Sequence, residues 1–186
     1  QIDITRYYNV RPPKKKSCYG TDLHVKGCME DDLTIQKYIE SIRQPAKFGD
    51  IVSSKTIVDK KIRHGYEIPF KENILEEHWE LIDVLLPFAR EMTGYNHIKI
   101  VPYKLNIYEK GNFFKKHTDS PGENLLATMI IHVEGPYGHF KVGDQIWSKD
   151  KGNVCILYTN LEHEVLPVSG YRETMTLKIF LEEKMP

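Results

Sequence analysis

The stretch YEKGNFFKKHTD, residues Tyr108–Asp119, decides the fold that this sequence predicts. A glycine turn separates an upstream apolar strand from a second short strand that leads to His117 and Asp119. Residues i and i+2 of a strand point to the same face of a sheet, so these two side chains can converge on one metal ion. A His-x-Asp triplet alone is weak evidence, because short motifs arise by chance. The prediction therefore depends on a third ligand and on the surrounding sequence.

His163 is the natural candidate for the third ligand. Two histidines and one carboxylate on one face of an octahedron leave open positions for a bidentate co-substrate and dioxygen, as in oxygen-activating iron enzymes. Two rival pairs of the same form exist, His78-x-Glu80 and His132-x-Glu134. The first lies in a strongly helical stretch, where residues i and i+2 diverge. The second lies on a predicted strand and stays open as an alternative.

A basic residue follows the distal histidine at a useful distance. The segment from His163 to Arg172 predicts a strand, a Pro/Gly turn and a returning strand, which puts Arg172 one or two strands from the metal. Adjacent strands lie about 4.8 Å apart, and a planar guanidinium binds a carboxylate with two hydrogen bonds. Arg172 can therefore bind the far carboxylate of a five-carbon diacid whose other end chelates the metal. Thr174, on the same face, can add a hydroxyl.

These residues resemble those of a known family, the Fe(II)/2-oxoglutarate-dependent oxygenases, and within it the prolyl 4-hydroxylase-like branch. Residues 107–119 are similar to the run from a co-substrate tyrosine to the metal motif, and residues 161–174 are similar to the distal segment. Residues 47–68 resemble a stretch of many uncharacterised members. The resemblance implies an α+β protein with a double-stranded β-helix (jelly-roll) core. It also implies a requirement for Fe(II), 2-oxoglutarate and O2, with ascorbate as a supporting reductant.

The resemblance also implies roles for individual residues. His117, Asp119 and His163 would ligate iron, and Arg172 would bind the 5-carboxylate of 2-oxoglutarate. The residues assigned to the remainder of the co-substrate site are Tyr108 as a hydrogen-bond donor, His132 as a second polar contact to the 5-carboxylate, Phe140 as an apolar wall, and Thr174 and Lys178 on the face of Arg172.

Lys178 departs from the pattern of the branch. Related prolyl hydroxylases tend to carry an apolar or aromatic residue there, whereas nucleic-acid demethylases of the superfamily carry a basic residue at a comparable distance after their co-substrate arginine. A buried charge needs an anionic partner, either the metal-proximal carboxylate or the substrate.

The predicted reaction is hydroxylation of a prolyl or other residue in a protein or peptide, with release of succinate and CO2.

Three alternatives to that function remain. The first is a nucleic-acid or small-molecule 2-oxoglutarate oxygenase, and the second is a catalytically silent binding module on the same scaffold. The third is a zinc hydrolase with the same ligands, which would leave Arg172 without a role. The sequence has 26 Lys and Arg residues and 26 Asp and Glu residues, so its formal net charge is zero. A nucleic-acid partner is therefore not favoured, because phosphate backbones are usually bound by basic surfaces. The sequence leaves the oligomeric state open.

Cysteine and apolar patterns bear on the compartment. Cys18, Cys28 and Cys155 do not make a disulfide framework, although Cys18 and Cys28 can pair if the protein is secreted, and Cys155 is expected in the core. No apolar run approaches the roughly 18 residues that span a bilayer. We therefore expect no membrane partner, and the cytosol is the default location.

The 186 residues suit one oxygenase domain, residues 1–186. It would comprise an arm (1–30), a helical support with a strand and a loop (31–95), and the β core (96–186). Helices are predicted over 31–43 and 71–93, with Pro87 bending or dividing the second. A strand over 51–58 precedes a connection to Ile68, which lies either at the site mouth or on the ordinary surface. Eight core strands are predicted over 98–108, 113–118, 125–133, 138–142, 145–147, 153–158, 163–168 and 172–181, with the N-terminal helices packed on one sheet.

Overall fold

The computed structural model of the protein describes residues 18–21, 37, 40–50, 55–70, 79–120 and 122–182. These residues form one long helix, α1 (Trp79–Thr93), and a short 3-10 helix (Lys149–Lys151). The strands are β1 (Cys18–Thr21), β2 (Gln44–Pro45), β3 (Phe48–Asp50), β4 (Lys55–Ile57), β5 (Arg63–His64), β6 (Tyr66–Pro69), β7 (Ile98–Tyr108), β8 (Phe113–His117), β9 (Leu125–Glu134), β10 (Phe140–Val142), β11 (Gln145–Ile146), β12 (Val154–Tyr158), β13 (His163–Val165) and β14 (Arg172–Leu181).

Two sheets share these strands in an alternating order. The large sheet has the order β1-β12-β9-β14-β7-β6-β2, and the small sheet has the order β11-β10-β13-β8-β5. From β7 onwards the chain crosses repeatedly from one sheet to the other, and neighbouring strands pair in the antiparallel sense. This arrangement is a jelly roll, so the predicted double-stranded β-helix core is confirmed. Strands β3 and β4 form a separate hairpin.

Helix α1 covers the outer face of the large sheet. Leu85 and Ala89 on the helix join a buried apolar cluster with Ile107, Met129 and Leu177 of the sheet. An amphipathic stripe thus packs one helix on the large sheet, whereas packing of the predicted helix over 31–43 on this sheet stays a prediction. No helix within the described ranges is long and apolar enough to cross a membrane.

The ends of α1 test the helix predictions. Gly94, a predicted stop signal, has a positive φ of 77°, and its N–H donates to the carbonyl of Arg90 at 2.9 Å. The helix runs through Pro87 without dividing, because the apolar stripe on both sides of it packs on the same sheet. The predicted first turns, over 71–78, lie outside the described residues. Of the predicted helix over 31–43, residues 37 and 40–42 are described and are helical, residue 43 is described and is not helical, and the others lie outside the described part.

Some strands are shorter than predicted, such as β13, which ends at Val165 where the prediction ran to 168. Of the predicted strand over 51–58, residues 55–57 form β4, residue 58 is not in a strand, and residues 51–54 lie outside the described part. A larger difference concerns one connection. The connection that leads to Ile68 was expected to be a loop, but it forms β5 in the small sheet and β6 in the large sheet. The crossing takes place at Gly65, where an added Cβ would lie 3.2 Å from the carbonyl oxygen of Ile107. Glycine permits this close approach of two backbones, so the chain can change sheets within one residue.

The space between the two sheets is filled at one end and open at the other. Trp147, Cys155 and Leu157 pack with Tyr108 and Phe140 in a second buried cluster, which confirms the core position expected for Cys155. Beyond this cluster the sheets enclose a cavity of about 360 Å³. Most of the candidate site residues described below lie around this cavity.

Candidate metal centre and adjoining cavity

His117, Asp119 and His163 meet at the small-sheet side of the cavity. His117 ends β8, Asp119 follows two residues later, and His163 begins β13 directly opposite His117 in the strand register. One potential ligand atom from each of the three lies within 4.8 Å of the others, and they form the one such group of His, Cys, Asp or Glu among the described residues. The predicted convergence of these side chains is therefore present in the structure.

Hydrogen bonds orient each ligand towards a common point. The Nδ1–H groups of His117 and His163 donate to the carbonyls of Lys115 at 2.7 Å and Leu161 at 3.0 Å, which leaves Nε2 as the ring nitrogen that can ligate a metal in both residues. Asp119 Oδ2 accepts a hydrogen bond from Thr128 Oγ1 at 2.5 Å. Its other oxygen, Oδ1, lies 3.3 Å from His163 Nε2. The three inward atoms are two imidazole nitrogens and one carboxylate oxygen, a donor set that fits Fe(II).

Burial and mutual charge govern protonation in the triad. Burial and the neighbouring His163 lower the pKa of His117 to about 4. Burial would raise the pKa of Asp119, but its hydrogen bonds from His163 and Thr128 outweigh that effect and lower it. Burial likewise opposes protonation of His163, whose pKa is nevertheless raised by the hydrogen bond to Asp119. At neutral pH the site therefore offers an ionised carboxylate and a neutral His117, the forms that a metal binds.

Arg172 lies across the cavity from the small sheet, at the start of β14. Arg172 is 3% exposed, and its guanidinium carbon lies 5.3 Å from the ring centroid of Tyr108 and 5.9 Å from that of Phe140. Among the described residues its side chain has no carboxylate partner and no hydrogen-bond acceptor. Burial accordingly lowers the pKa of the guanidinium. A buried cation without a counter-charge at a cavity wall is a site for an anionic ligand.

The other predicted co-substrate residues surround this guanidinium or line the same space. Tyr108 pairs with Arg172 in the strand register, and Thr174 pairs with His132 on the other side. Tyr108, Phe140, Thr174 and Lys178 line the large cavity. Thr174 Oγ1 accepts a hydrogen bond from Asn106 Nδ2 at 3.2 Å, so its own O–H is available to a ligand.

His132 lies beside Arg172 and away from the triad. Its Nε2–H donates to the carbonyl of Gly135 at 2.9 Å, and its ring stacks on Tyr137 at 4.0 Å. Burial and the charge of Arg172 lower the pKa of His132 to about 4, so its Nδ1 is an unprotonated acceptor at neutral pH. The rival pair of His132 and Glu134 does not meet a third His, Cys, Asp or Glu among the described residues. The other rival pair includes His78, which lies outside the described residues.

Comparisons with known proteins address the fold. No protein-family model and no curated protein sequence matches the chain. Among solved structures it is similar to a prolyl-4-hydroxylase from Pseudomonas putida, with a TM-score of 0.56, 12% identity and coverage of 81% of this chain and 83% of that chain. It is also similar to a 2OG-Fe(II) oxygenase family oxidoreductase from Burkholderia pseudomallei, with a TM-score of 0.53, 15% identity and 80% of each chain covered.

A third similar structure is a viral collagen prolyl hydroxylase from Paramecium Bursaria Chlorella virus-1 in complex with 2OG. Its TM-score is 0.56 at 17% identity, and the match covers 90% of this chain and 98% of that chain. The chain has the 2-oxoglutarate oxygenase fold. The resemblance drawn from the motifs is thus confirmed at the level of the fold. Within this oxygenase fold the triad lies on the small sheet, and Arg172 lies on the large sheet.

Several residues of the oxygenase-fold cavity were missed by sequence reasoning. Thr128 supports Asp119, and Phe114 stacks on the ring of His117 at 3.6 Å. Arg63 donates to Asn106 Oδ1 at 3.0 Å and lies over Phe114 at 4.4 Å. Thr128 lies on β9 opposite Lys178 of β14. The alternation of side chains along β9 could have placed Thr128 on the cavity face, but the sequence analysis did not consider it. Arg63 lay in the stretch that resembles other members, but it was read only as part of a loop.

The hairpin and the segment before β5 border the mouth of the cavity. Phe48, Gly49, Thr56 and Ile62 line it together with Arg63. An added Cβ at Gly49 would lie 2.4 Å from the hydroxyl of Ser120, the residue after the aspartate ligand. This segment therefore lies at the mouth of the site, which was one of the two positions left open by the sequence.

Proposed function

We propose that the protein is an Fe(II)- and 2-oxoglutarate-dependent dioxygenase that hydroxylates a C–H bond of a prolyl or other residue in a protein or peptide. Succinate and CO2 would be released. The observation that carries this proposal is Arg172, a buried guanidinium without an anionic partner that shares one cavity with a His/Asp/His triad. A dicarboxylate that binds the triad at one end supplies the missing counter-charge at the other end.

The triad would hold the iron through His117 Nε2, Asp119 Oδ1 and His163 Nε2. When bound, iron supplies the oxidising chemistry that couples breakdown of 2-oxoglutarate to hydroxylation. The backbone carbonyls that accept from both Nδ1–H groups keep the histidines in the ligating tautomer. Thr128 fixes one carboxylate oxygen so that the other faces inward. These partners let the chain present the three donor atoms without rearrangement.

Arg172 would bind the 5-carboxylate of 2-oxoglutarate, with Thr174 as a second donor. Tyr108 would donate its hydroxyl, which makes no hydrogen bond to a described residue, and Phe140 would exclude water from the co-substrate chain. His132 was assigned a polar contact to the same carboxylate. Its unprotonated Nδ1 supports an indirect role in binding this carboxylate, because Nδ1 can accept a hydrogen bond from Arg172 and so orient the guanidinium.

A peptide substrate is supported by two observations. The cavity is open at a mouth formed by the β3–β4 hairpin and β5, which gives an extended chain access to the triad. Two of the three similar structures are prolyl hydroxylases by name. Nucleic acids and small metabolites are tested as competing substrates in the experiment below.

The test is succinate formation from 2-oxoglutarate under air, with Fe(II) and ascorbate, with and without a mixed peptide library. We expect turnover that requires iron, increases with peptides and disappears in His117→Ala. His97→Ala, which removes an exposed histidine outside the cavity, serves as the matched control. Stimulation by nucleotides or metabolites in place of peptides would refute the substrate class. Tightly bound zinc with no 2-oxoglutarate binding would refute the reaction in favour of a zinc hydrolase.

A further inference from the structure

Strand β7 contains a β-bulge beside the metal centre. Lys104 pairs with Thr176 and Pro102 pairs with Leu177, so Tyr103 is an extra residue in β7 at this point. A bulge re-aims the side chain of the extra residue, and bulges recur next to active sites. Here it places the Tyr103 ring on the cavity wall, where the residue remains 41% exposed.

Two lysines lie against this re-aimed ring. The Nζ of Lys178 is 3.8 Å from the ring centroid of Tyr103, and the Nζ of Lys104 is 4.7 Å from it. Lys104 also forms an ion pair with the buried Glu67 at 2.7 Å. Lys178 has no ion pair or hydrogen-bond acceptor among the described residues. The carboxylate that acts on Lys178 is that of Asp119, whose charge opposes the effect of burial on the pKa of Lys178, so this ammonium has no carboxylate to itself.

Arg63 is a second cation of this wall without a carboxylate. It is 5% exposed, and its Nη1 and Nη2 donate to the carbonyl of Lys47 at 2.6 Å and to Asn106 Oδ1 at 3.0 Å. Both acceptors are neutral. Its Nε is buried and has no hydrogen-bond partner. The charges of Arg63 and Lys178 add to burial in lowering the pKa of Lys104, so the three cations share one region.

The carboxylates of the cavity do not balance this charge. Asp119 is shared between the candidate metal position and Lys178, and Glu67 is paired with Lys104. Arg172 would be neutralised by the co-substrate under the proposed function. Lys178 and Arg63 then remain as two positive charges at the mouth. A poorly solvated charge that lacks a partner is costly, so this wall is suited to an anionic group on the substrate.

We propose that Lys178 and Arg63, arranged around the bulged Tyr103, form a subsite for an acidic side chain of the peptide substrate near the residue that is hydroxylated. This inference rests on the proposed function and specifies its substrate class. A single carboxylate is favoured over a polynucleotide because the chain carries no net charge, whereas phosphate backbones are bound by basic surfaces. Lys178 is accordingly a specificity residue for the primary substrate.

The test compares two synthetic libraries of short proline-containing peptides that differ only by Glu or Gln beside the proline. Binding to protein loaded with Mn(II) and 2-oxoglutarate is measured by calorimetry, after the affinity for 2-oxoglutarate itself has been measured on the same samples. We expect the Glu library to bind about ten-fold more tightly, the low end for a charge-assisted hydrogen bond. Lys178→Met should abolish this preference, and Lys178→Arg should retain it.

Lys99→Met is the matched control, because Lys99 is an exposed lysine of the same strand as Tyr103 whose ammonium lies over the ring of Phe180, outside the cavity. It should keep the full preference for Glu. Equal binding of the two libraries to the wild-type protein would overturn the inference. It would also be overturned if Lys178→Met kept the preference and weakened 2-oxoglutarate binding instead, since Lys178 would then serve the co-substrate.

A single-stranded oligonucleotide is included as a competitor. Tighter binding of the oligonucleotide than of the Glu library would replace the acidic peptide by a nucleic acid. Failure to bind Mn(II) and 2-oxoglutarate would count against the proposed function alone. The Glu-to-Gln ratio and its change in Lys178→Met would still decide the subsite on those samples, because the chain's own residues form it.

Discussion

Replacing Arg172 by methionine is expected to stabilise the free protein while it weakens 2-oxoglutarate binding. The guanidinium is buried and has no anionic partner among the described residues, so it bears a desolvation cost that aromatic contacts offset only in part. Methionine keeps much of the apolar volume without the charge. We expect the free energy of unfolding of the metal-free, ligand-free variant to rise by about 1 to 3 kcal/mol.

Loss of the guanidinium has the opposite effect on the complex. A charge-assisted hydrogen bond contributes about 1.5 to 3 kcal/mol, so the dissociation constant of 2-oxoglutarate should rise about 10- to 150-fold. A ligand at a hundred times its Kd stabilises a protein by about 2.7 kcal/mol, which corresponds to about 5 to 10 °C for a chain of this size. At the same concentration a 100-fold weaker complex gains only about 0.4 kcal/mol, or about 1 to 2 °C.

Unfolding without metal or ligand measures the first effect, and thermal unfolding with Mn(II), with and without 2-oxoglutarate, measures the second. Mn(II) is used in place of Fe(II) to avoid turnover. Arg90→Met, which makes the same change at an exposed position of α1, should keep the full 2-oxoglutarate shift. A full shift in Arg172→Met would refute the assignment of Arg172 to the co-substrate. A less stable ligand-free variant would refute the desolvation argument.

Three further variants test the surroundings of the site. Thr128→Val should weaken Mn(II) binding about ten-fold, as expected for loss of a hydrogen bond that orients a ligand, while Thr93→Val, which removes a buried helix hydroxyl, should leave it unchanged in a metal titration. His132 has a pKa of about 4 in the folded protein, below its unfolded value of about 6.5, so the unfolded chain binds the proton more readily. The free energy of unfolding should therefore fall as the pH drops from 6.5 towards 4. His132→Gln should remove about 2 kcal/mol of that fall in denaturant titrations at the two pH values. Gly135→Ala should cost about 3 kcal/mol or more in unfolding free energy, since its Cβ would lie 2.1 Å from a backbone oxygen, whereas Gly138→Ala, with a similar φ and open space, should cost about 1 kcal/mol.

Strand periodicity carried most of the successful prediction. β7 and β14 have the bounds that the sequence predicted, because long alternating runs on a half-buried sheet leave little freedom in their ends. The same periodicity placed His117 and Asp119 on one face. The convergence of His163 on them required the strand register, for which the spacing of the motifs was a sufficient guide.

Features that depend on contacts between distant segments could not be read from the sequence. Arg63 and Lys104 are ordinary basic residues in the sequence, and only the pairing of β5 and β7 with their neighbours brings them to one cavity wall. The bulge at Tyr103 depends on the partner strand, so no local pattern announces it. The pairing of Cys18 with Cys28 stays a prediction, because Cys28 lies outside the described residues.

The side chain of Arg63 connects the two sheets. Its strand belongs to the small sheet and its ring contact is with Phe114 of that sheet, yet it donates to Asn106 in the large sheet. Its planar guanidinium therefore links the two sheets at the entrance through one side-chain hydrogen bond. A lysine at this position would carry its donors on a single nitrogen, so it could not reach the Lys47 carbonyl and Asn106 Oδ1 with two separate nitrogens as Arg63 does. Access to the triad is thus expected to depend on the stiffness of a side chain that is not one of its three members.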